Sequence, residues 1–550
     1  MSGPNPALVT QRAAQRLPRL ALLLLCAAWV IPGIFGRDPW RNADVTAFGV
    51  MSAMAEGRSG WFTPMLGGLA VDAALLPHWL GAAFIVVLSP LVDPALAARL
   101  PFGLLLAATL AFTWYTTFHL ARTEAAQPLA FAFGGEAAPV DYARALADGA
   151  LLALIATLGL LQLGHETTPE LVQLFATSVF LWALAAAPYR SGRARLGVIV
   201  SLSLLAASGA PAMAIVFGLL GTLICARSAY AQARNFAVWV AAATLVATLV
   251  ATAIGSWAWR FGFNLRGDQL VQIARQWLWF LWPVWPLAAW TLWRWRRQWL
   301  NRHVSVPLSV VITACAASIW MGGNDRALLL ALPALAVLAA FALPTLRRSA
   351  AAAIDWFSVC FFTACVAVIW AMYIAMQTGS PARWAANVAK LTPGFEVPFS
   401  LLELALAALG TLAWIALVRW RTGRHQHALW KSLVIPAGGV ALCWLLLMTL
   451  WLPLLDFARS ARAVVERAAP HIGDSRCIVA QNFSLAQIAS FEVFGHYTVD
   501  ARPGAVNAAS CSVLVGITRG AIADIVPGWQ LVATLRRPTD RTEVISVYRR

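Results

Sequence analysis

Between positions 37 and 75 the chain reads Arg37-Asp38-Pro39-Trp40-Arg41-Asn42-Ala43-Asp44, then a helical stretch Val45–Glu56, then Gly57-Arg58-Ser59-Gly60-Trp61-Phe62-Thr63-Pro64-Met65-Leu66-Gly67-Gly68. Carboxylates at 38, 44, 56 and 72 share this segment with arginines at 37, 41 and 58. A positioned carboxylate can take a proton from a reacting hydroxyl, and an arginine can stabilise charge gathering on a phosphate. Trp40 and Trp61 favour a segment lying at a bilayer surface, where tryptophan is enriched. Two other polar interruptions carry similar residue types: Gly164-His165-Glu166-Thr167-Thr168-Pro169-Glu170 and Asn324-Asp325-Arg326. Ionisable residues at the ends of spans are functional-site candidates by default. Each also has a plain reading: Asp44 caps a helix, Thr168, Pro169 and Glu170 open one, and Arg326 marks a span end. No Gly-rich phosphate loop, Cys-x-x-Cys or His-Glu-x-x-His motif accompanies them.

The elements that must position these groups are set by composition. Of 550 residues, 60% are hydrophobic and only 12% charged, where a soluble domain carries about 25% charged residues. A helix crossing the hydrocarbon core needs about 20 apolar residues. Apolar segments near 20–35, 76–92, 98–120, 146–164, 169–188, 195–226, 236–256, 277–293, 304–321, 326–345, 354–376, 399–418 and 431–453 meet or approach that length. The segment 195–226 is broken at Ser208-Gly209-Ala210-Pro211 and reads as two spans. The chain is therefore expected to be an all-α polytopic membrane protein. Soluble enzyme, coiled coil and collagen are excluded.

The formal charge of +17 is almost all arginine, with lysine only at Lys390 and Lys431. The arginines cluster in short loops, as the positive-inside rule requires, and no soluble segment offers a basic groove, so nucleic acid is not an expected partner. Loops 226–235, 294–303, 346–353 and 419–430 are expected to be cytoplasmic, which puts 256–276, 377–398 and the tail outside. Parity then gives about thirteen spans of the length a bilayer requires, one early segment failing to cross. The transmembrane module is read as 1–453, with an external loop at about 37–75 holding two short amphipathic helices, and the tail 454–550 as a small α/β domain. The tail's expected elements are an amphipathic helix bearing Arg459, Arg462, Glu466 and Arg467, strands at Cys477–Ala480, Tyr497–Val499, Ser512–Val515, Trp529–Val532 and Val544–Tyr548, and a helix over 484–494. Of eight cysteines, only Cys477 and Cys511 lie in this polar region. They are disulfide candidates if the tail faces an oxidising compartment.

An acid opening a helix after the first span, followed by Gly57-x-x-Gly60-Trp61-x-x-Pro64-x-Leu66-x-Gly68 and an apolar span, resembles the first external loop of the GT-C membrane glycosyltransferases. The likeness is to the bacterial branch that includes the aminoarabinose transferase of lipid A and the protein O-mannosyltransferases (glycosyltransferase family 39). It covers residues 30–90 specifically and the whole chain loosely. The resemblance implies an inverting transferase in the bacterial inner membrane, with the N-terminus cytoplasmic and the C-terminal domain periplasmic. Its partners would be a polyprenyl-phosphate-linked sugar donor, a lipid, glycan or protein acceptor, and membrane lipids. Asp44 falls on the family's catalytic aspartate. Asp72, His165, Glu166 and Arg326 fall at or near positions that would contact substrate, and Arg37, Arg41 and Arg58 are candidates to replace a basic residue that the family has and this chain lacks. Two departures stand out: Asp44 is followed by Val45 where the family has glutamate, and Asp72-Ala73-Ala74-Leu75 keeps an acid but lacks the family's lysine. A metal ligand set is not defined, and a divalent cation is left open.

Two other classes remain in view. A transporter or flippase of lipid-linked sugars would more often show internal repeats and paired ionisable residues at mid-membrane. A non-catalytic assembly subunit would carry the same loop in degenerate form.

Overall fold

The computed structural model describes residues 6–550 apart from 41, 72–73, 258–266, 424–427, 509, 520–525 and 538–539. The first part is helical: α1 (Arg19–Val30), α2 (Ala43–Ala55), α3 (Leu75–Leu88), α4 (Pro94–Ala121), α5 (Pro139–Ala156), α6 (Leu158–Leu163), α7 (Pro169–Ala186), α8 (Ser191–Ala207), α9 (Pro211–Ala226) and α10 (Ala231–Ala253). The chain continues through α11 (Gly267–Phe280), α12 (Val284–Arg294), α13 (Arg302–Trp320), α14 (Asp325–Leu329), α15 (Leu332–Ala340), α16 (Arg348–Thr378), α17 (Ala382–Leu391), α18 (Leu401–Gly423) and α19 (Lys431–Leu447). Among the described residues, seven helices or continuous helical stretches are long and apolar enough to cross a membrane, and α19 passes the same test together with Leu452–Arg459, from which it is bent by 73°. The chain is a multi-pass membrane protein.

Local chemistry explains the breaks. The long apolar segment 195–226 divides at Gly209, whose φ of +85° ends α8 before Pro211 opens α9; glycine adopts such a φ without a steric penalty. The first span is shorter than the apolar run 20–35, since α1 stops at Val30 before Pro32 and Gly33. A Cβ at Gly33 would lie 2.7 Å from the Trp444 ring, so the chain turns there by fitting bare backbone against α19.

The first loop differs from expectation. It holds one helix, α2, and a two-stranded hairpin, β1 (Met65–Leu66) with β2 (Leu69–Ala70), turning at Gly67 and Gly68. Nor is α2 amphipathic: ten of its thirteen residues are buried. A helix apolar all round must be covered on every side, and the tail supplies the missing cover.

That tail comprises α20 (Leu452–Arg459), α21 (Arg462–Ile472), β3 (Cys477–Gln481), α22 (Leu485–Gly495), β4 (Thr498–Asp500), α23 (Ala505–Ala508), β5 (Val513–Arg519), β6 (Gln530–Arg537) and β7 (Asp540–Arg549). Its sheet runs β4-β3-β5-β7-β6. β3 pairs in parallel with β4 and β5, while β7 pairs antiparallel with β5 and β6. Strand alternation assigns the two faces. Val513, Val515 and Ile517 join α21 and α22 in one core, whereas Leu514 packs with Val479 and Tyr548 on the other side. The first core also takes in Val45 and Ala53 of α2 and Leu66 of the hairpin. Loop and tail thus share one hydrophobic core.

Two predictions follow from this packing. A Cβ at Gly49 on α2 would lie 2.7 Å from Ala489 Cβ on α22. Gly49→Ala is therefore expected to cost about 1–3 kcal/mol through overpacking, read as a lower thermal midpoint in detergent. In the tail, Cys477 and Cys511 form a disulfide with Cα atoms 5.5 Å apart and 34 residues of separation. Replacing both by alanine is expected to lower stability by about 3–4 kcal/mol on the chain-entropy model, measurable by denaturant unfolding of the full-length protein.

Candidate active site

Asp44 lies in the first turn of α2 and is 1% exposed. Its Oδ1 accepts from the Thr167 backbone N–H at 2.8 Å and the Thr167 hydroxyl at 2.9 Å. Its Oδ2 accepts from the Trp40 N–H at 3.0 Å and pairs with the Arg37 guanidinium at 3.2 Å. Asn42 at the mouth of α2 has φ +70° and makes no side-chain cap, so the helix-cap reading of this turn gives way to a carboxylate directed at the polar interruption before α7. Burial pushes the Asp44 carboxyl up, but the charges of Arg37 and Arg99 and the Thr167 and Trp40 N–H groups more than reverse that. Asp44 is held below the usual aspartate value of 3.8.

The interruption 164–170 supplies the second half of the cluster. Glu166 is 3% exposed, with Oε2 accepting from Arg326 at 2.6 Å and Oε1 accepting from the Gln162 amide at 3.0 Å. Arg326 also donates to the Thr168 hydroxyl at 3.2 Å and lies 3.6 Å from Glu170. Burial and the Asp44 charge push the Glu166 carboxyl above its usual 4.5, against the opposing pull of Arg326. The two carboxylates are thus separated by environment, Asp44 down and Glu166 up. The α7 start is as expected from sequence, with Pro169 in the first turn, yet Thr168 makes no side-chain cap.

His165 serves differently. Its carbonyl accepts from Arg37 at 2.8 Å. Its ring nitrogens face the Leu161 carbonyl at 2.7 Å and the Trp29 carbonyl at 3.1 Å, and the ring packs against Trp29 and Trp444. Burial lowers its pKa to about 4, with Arg37 adding to the effect and the facing carbonyls opposing it. The ring is neutral at pH 7 and donates to one carbonyl only; it props the loop between α1 and α19.

Arg58 stands with a different group, donating to Glu492 of α22 at 2.5 Å and to Glu56 at 2.8 Å. Glu492 also accepts from the Gly67 N–H at 3.2 Å, so these contacts join hairpin to tail. Arg41 and Asp72 lie outside the described residues.

Several members of the site escaped sequence reading. Arg99, 3% exposed, sits in α4 close enough to Asp44 and Arg37 to act on both. Its signal was a lone charge within an apolar segment. Trp40 donates its indole N–H to Asp456 at 2.7 Å, with Arg37 and Arg459 guanidinium carbons 4.6 and 4.9 Å from its ring centroid. Asp38 takes a two-pronged contact from Arg462 at 2.7 and 2.9 Å. The partners Asp456, Arg459 and Arg462 lie more than 400 positions away in the chain, and no local pattern announces them.

Asp456 provides a pH test. α20 is only eight residues long and bends by 73° from α19, so Asp456 stands off the line of that helix, among residues of the first loop. Burial pushes its carboxyl up to about 6, against the Trp40 indole and with the help of the Asp38 charge. A carboxyl raised in the fold binds its proton more tightly there than when unfolded, so this contribution is full below about 4 and is lost as pH rises towards 6. The Asp456→Asn protein is expected to show a flatter thermal midpoint than the parent between pH 4 and 6.

Among the described residues, no group of three or more His, Cys, Asp or Glu is placed to hold a metal ion. Asp44 and Glu166 are each matched to an arginine.

No protein-family model and no curated protein sequence matches the chain. Solved structures do match its shape. ArnT from Cupriavidus metallidurans bound to undecaprenyl phosphate superposes with a TM-score of 0.62 at 11% identity, covering 96% of this chain and 97% of that one. The apo state of the same protein gives 0.57 at the same identity and coverage. At such low identity the likeness is one of fold. An ArnT-like membrane fold with a small C-terminal sheet domain is what the first-loop resemblance implied.

Proposed function

We propose that this protein is an inverting glycosyltransferase that moves a sugar from a polyprenyl-phosphate donor to an acceptor hydroxyl at the external face of a bacterial inner membrane. The observation that carries the reading is the buried Arg37–Asp44–Thr167 and Glu166–Arg326 cluster, where the first loop meets the polar interruption before α7. The fold shared with a protein solved with undecaprenyl phosphate bound supports it. In this reading there are about thirteen spans, as bilayer thickness and charge parity require, with the N-terminus cytoplasmic, residues 1–453 as the membrane module and 454–550 as a periplasmic domain.

The chemistry is a single displacement. The acceptor oxygen attacks the anomeric carbon as its proton passes to a carboxylate, and the bond from that carbon to the phosphate oxygen breaks. The electron pair leaves on the lipid phosphate, and the anomeric configuration inverts. Asp44 is the proton acceptor. Its four donors keep it ionised at every working pH, and the acceptor reaches it by displacing one of them. Arg326, whose side chain is 19% exposed against 1% for Arg37, faces the departing phosphate. Arg37 and Arg99 hold Asp44 in its charged form.

The acceptor has a natural entry beside α2. A cavity of about 690 Å³ is lined by Asn42 and Val45 of the first loop and by Asn482, Gln487, Phe491 and Glu543 of the tail. Among the described residues, no lysine or arginine lines it. Amides, an aromatic face and one carboxylate suit an uncharged glycan or peptide rather than a phosphorylated group.

The deciding experiment is transfer in proteoliposomes from a panel of polyprenyl-phosphate sugars to glycan, peptide and lipid acceptors. Transfer with inversion at the anomeric carbon supports the reading. No transfer from any donor, with lipid-linked sugar instead moved across the bilayer, would replace it with a flippase.

A further inference from the structure

The membrane face opposite Asp44 carries a second feature that the transfer reaction does not use. A groove of about 890 Å³ runs between α1, α4 and α5. Its walls are apolar, with Leu23 and Ile31 of α1, Leu110 and Phe118 of α4, and Leu151 of α5 among them. Leu23 is 65% and Ile31 52% exposed, and on a membrane-spanning helix such side chains meet lipid. One end is different: Arg16, Arg19, Arg144 and Arg190 all line it.

The charges at that end do not cancel. Arg16 is paired with Asp141 at 2.9 Å. Asp148, the groove's own acid, is occupied by the Leu17 N–H at 3.1 Å and the Trp114 indole N–H at 2.8 Å. None of Arg19, Arg144 and Arg190 makes an ion pair with another described residue. Arg144 also feels the charges of Asp141 and Asp148. Yet among the described residues four guanidinium groups face only these two carboxylates, and that excess of positive charge at the head of an apolar slot favours an anion carrying a hydrocarbon tail.

Length and position narrow the occupant. The twelve residues of α1 rise about 18 Å, roughly half of a ~30 Å hydrocarbon core, so the slot is one leaflet deep. The arginines lie at the N-terminal end of α1, whereas its C-terminal end leads to Arg37 and Asp44. The anion would sit in the leaflet away from the transfer site, so it is not a donor in reacting position. A second copy of this chain would bring its own arginines against these and be repelled.

We propose that this groove is a binding site for an anionic glycerophospholipid, its phosphate among Arg19, Arg144 and Arg190 and one acyl chain between α1 and α4. The site holds the lightly packed α1 against the bundle from the leaflet opposite the reaction.

The test uses the full-length protein in nanodiscs doped with phosphatidylglycerol or phosphatidylcholine of identical acyl chains, each carrying a photoactivatable diazirine near the chain end. Crosslinks from phosphatidylglycerol are expected in residues 19–31 and 104–118 at about ten times the yield of phosphatidylcholine, the scale of a 1.4 kcal/mol preference. Combined Arg19→Gln, Arg144→Gln and Arg190→Gln should bring the two lipids to equal yield. Ala111→Trp, which fills the slot and leaves the arginines in place, should abolish crosslinking by both lipids at these segments. Equal yields in the unaltered protein, crosslinks confined to other helices, or displacement of phosphatidylglycerol by an equal fraction of polyprenyl phosphate would each overturn the proposal. The first two results need no variant, so a misfolded arginine mutant does not shelter it.

Discussion

Asp44→Asn is expected to reduce sugar transfer by about 10²–10⁴-fold, the span over which positioned proton transfer contributes. Asparagine keeps the shape, but its single carbonyl oxygen accepts from Thr167 or from Trp40 and not from both; it cannot take a proton and no longer answers Arg37. Leaving a buried guanidinium without its anion costs about 3–5 kcal/mol, so the variant should also melt earlier. The two effects separate in a double variant. Arg37→Gln with Asp44→Asn removes both charges and should recover most of the lost stability, measured by thermal unfolding in detergent, while transfer stays lost. Recovery of transfer in that double variant would reduce Asp44 to half of a structural ion pair.

The pH behaviour follows from the same geometry. Arg37, Arg99 and two backbone N–H groups overcome the effect of burial and hold Asp44 below the usual aspartate value. An acid depressed in the fold contributes stability that is complete above its ordinary pKa of about 3.8 and is lost only as pH falls below it. Asp44 is then already ionised throughout the physiological range. An acid limb in kcat/KM in that range would belong to Glu166 or Asp456, whose carboxyls are both raised, or to the substrate.

Arg326→Gln is expected to produce the second large loss, about 10²–10³-fold in kcat, the scale of removing one group that stabilises developing negative charge. Its guanidinium bridges Glu166, Thr168 and Glu170 across the junction of α14 with the start of α7. Glutamine leaves Glu166 buried with only the Gln162 amide, and the raised carboxyl then takes up a proton more readily still. Arg326→Lys discriminates between the roles. A lysine that merely neutralises Glu166 should restore the melting temperature but recover only part of kcat, since an ammonium lacks the planar fork that meets a phosphate. Full activity in Arg326→Lys would mean that charge alone matters there.

Much of this organisation was legible in the residues themselves. Low charge, arginine-rich loops and runs of apolar residues require a multi-pass protein, because backbone polar groups in lipid must be satisfied within helices. Short apolar runs at Cys477, Ser512, Trp529 and Val544 read as strands because a brief apolar run between polar segments is a local signal. Asp44 stood out as an acid opening a helix after the first span. Other features were not written locally. A hairpin at Met65–Ala70 replaced an expected helix, since Gly67 and Gly68 adopt positive φ beneath Ile488 and Arg502 of the tail. The burial of α2 on all sides depended on α22 arriving from more than 400 residues away.

By itself, then, the chain's chemistry determined the solvent it lives in, the approximate helices and strands, and which segments carry ionisable groups, since each depends on near neighbours in sequence. Tertiary structure decided which of those groups meet. Arg37 reaches Asp44, Thr167 donates to it across 123 positions, and Glu166 takes Arg326. Arg58 and His165 are drawn into supporting contacts instead. The physical reason is desolvation. Once helices pack and water is excluded, a buried charge is costly unless it finds an opposite charge or a hydrogen-bond partner, and helix packing fixes which one is within reach.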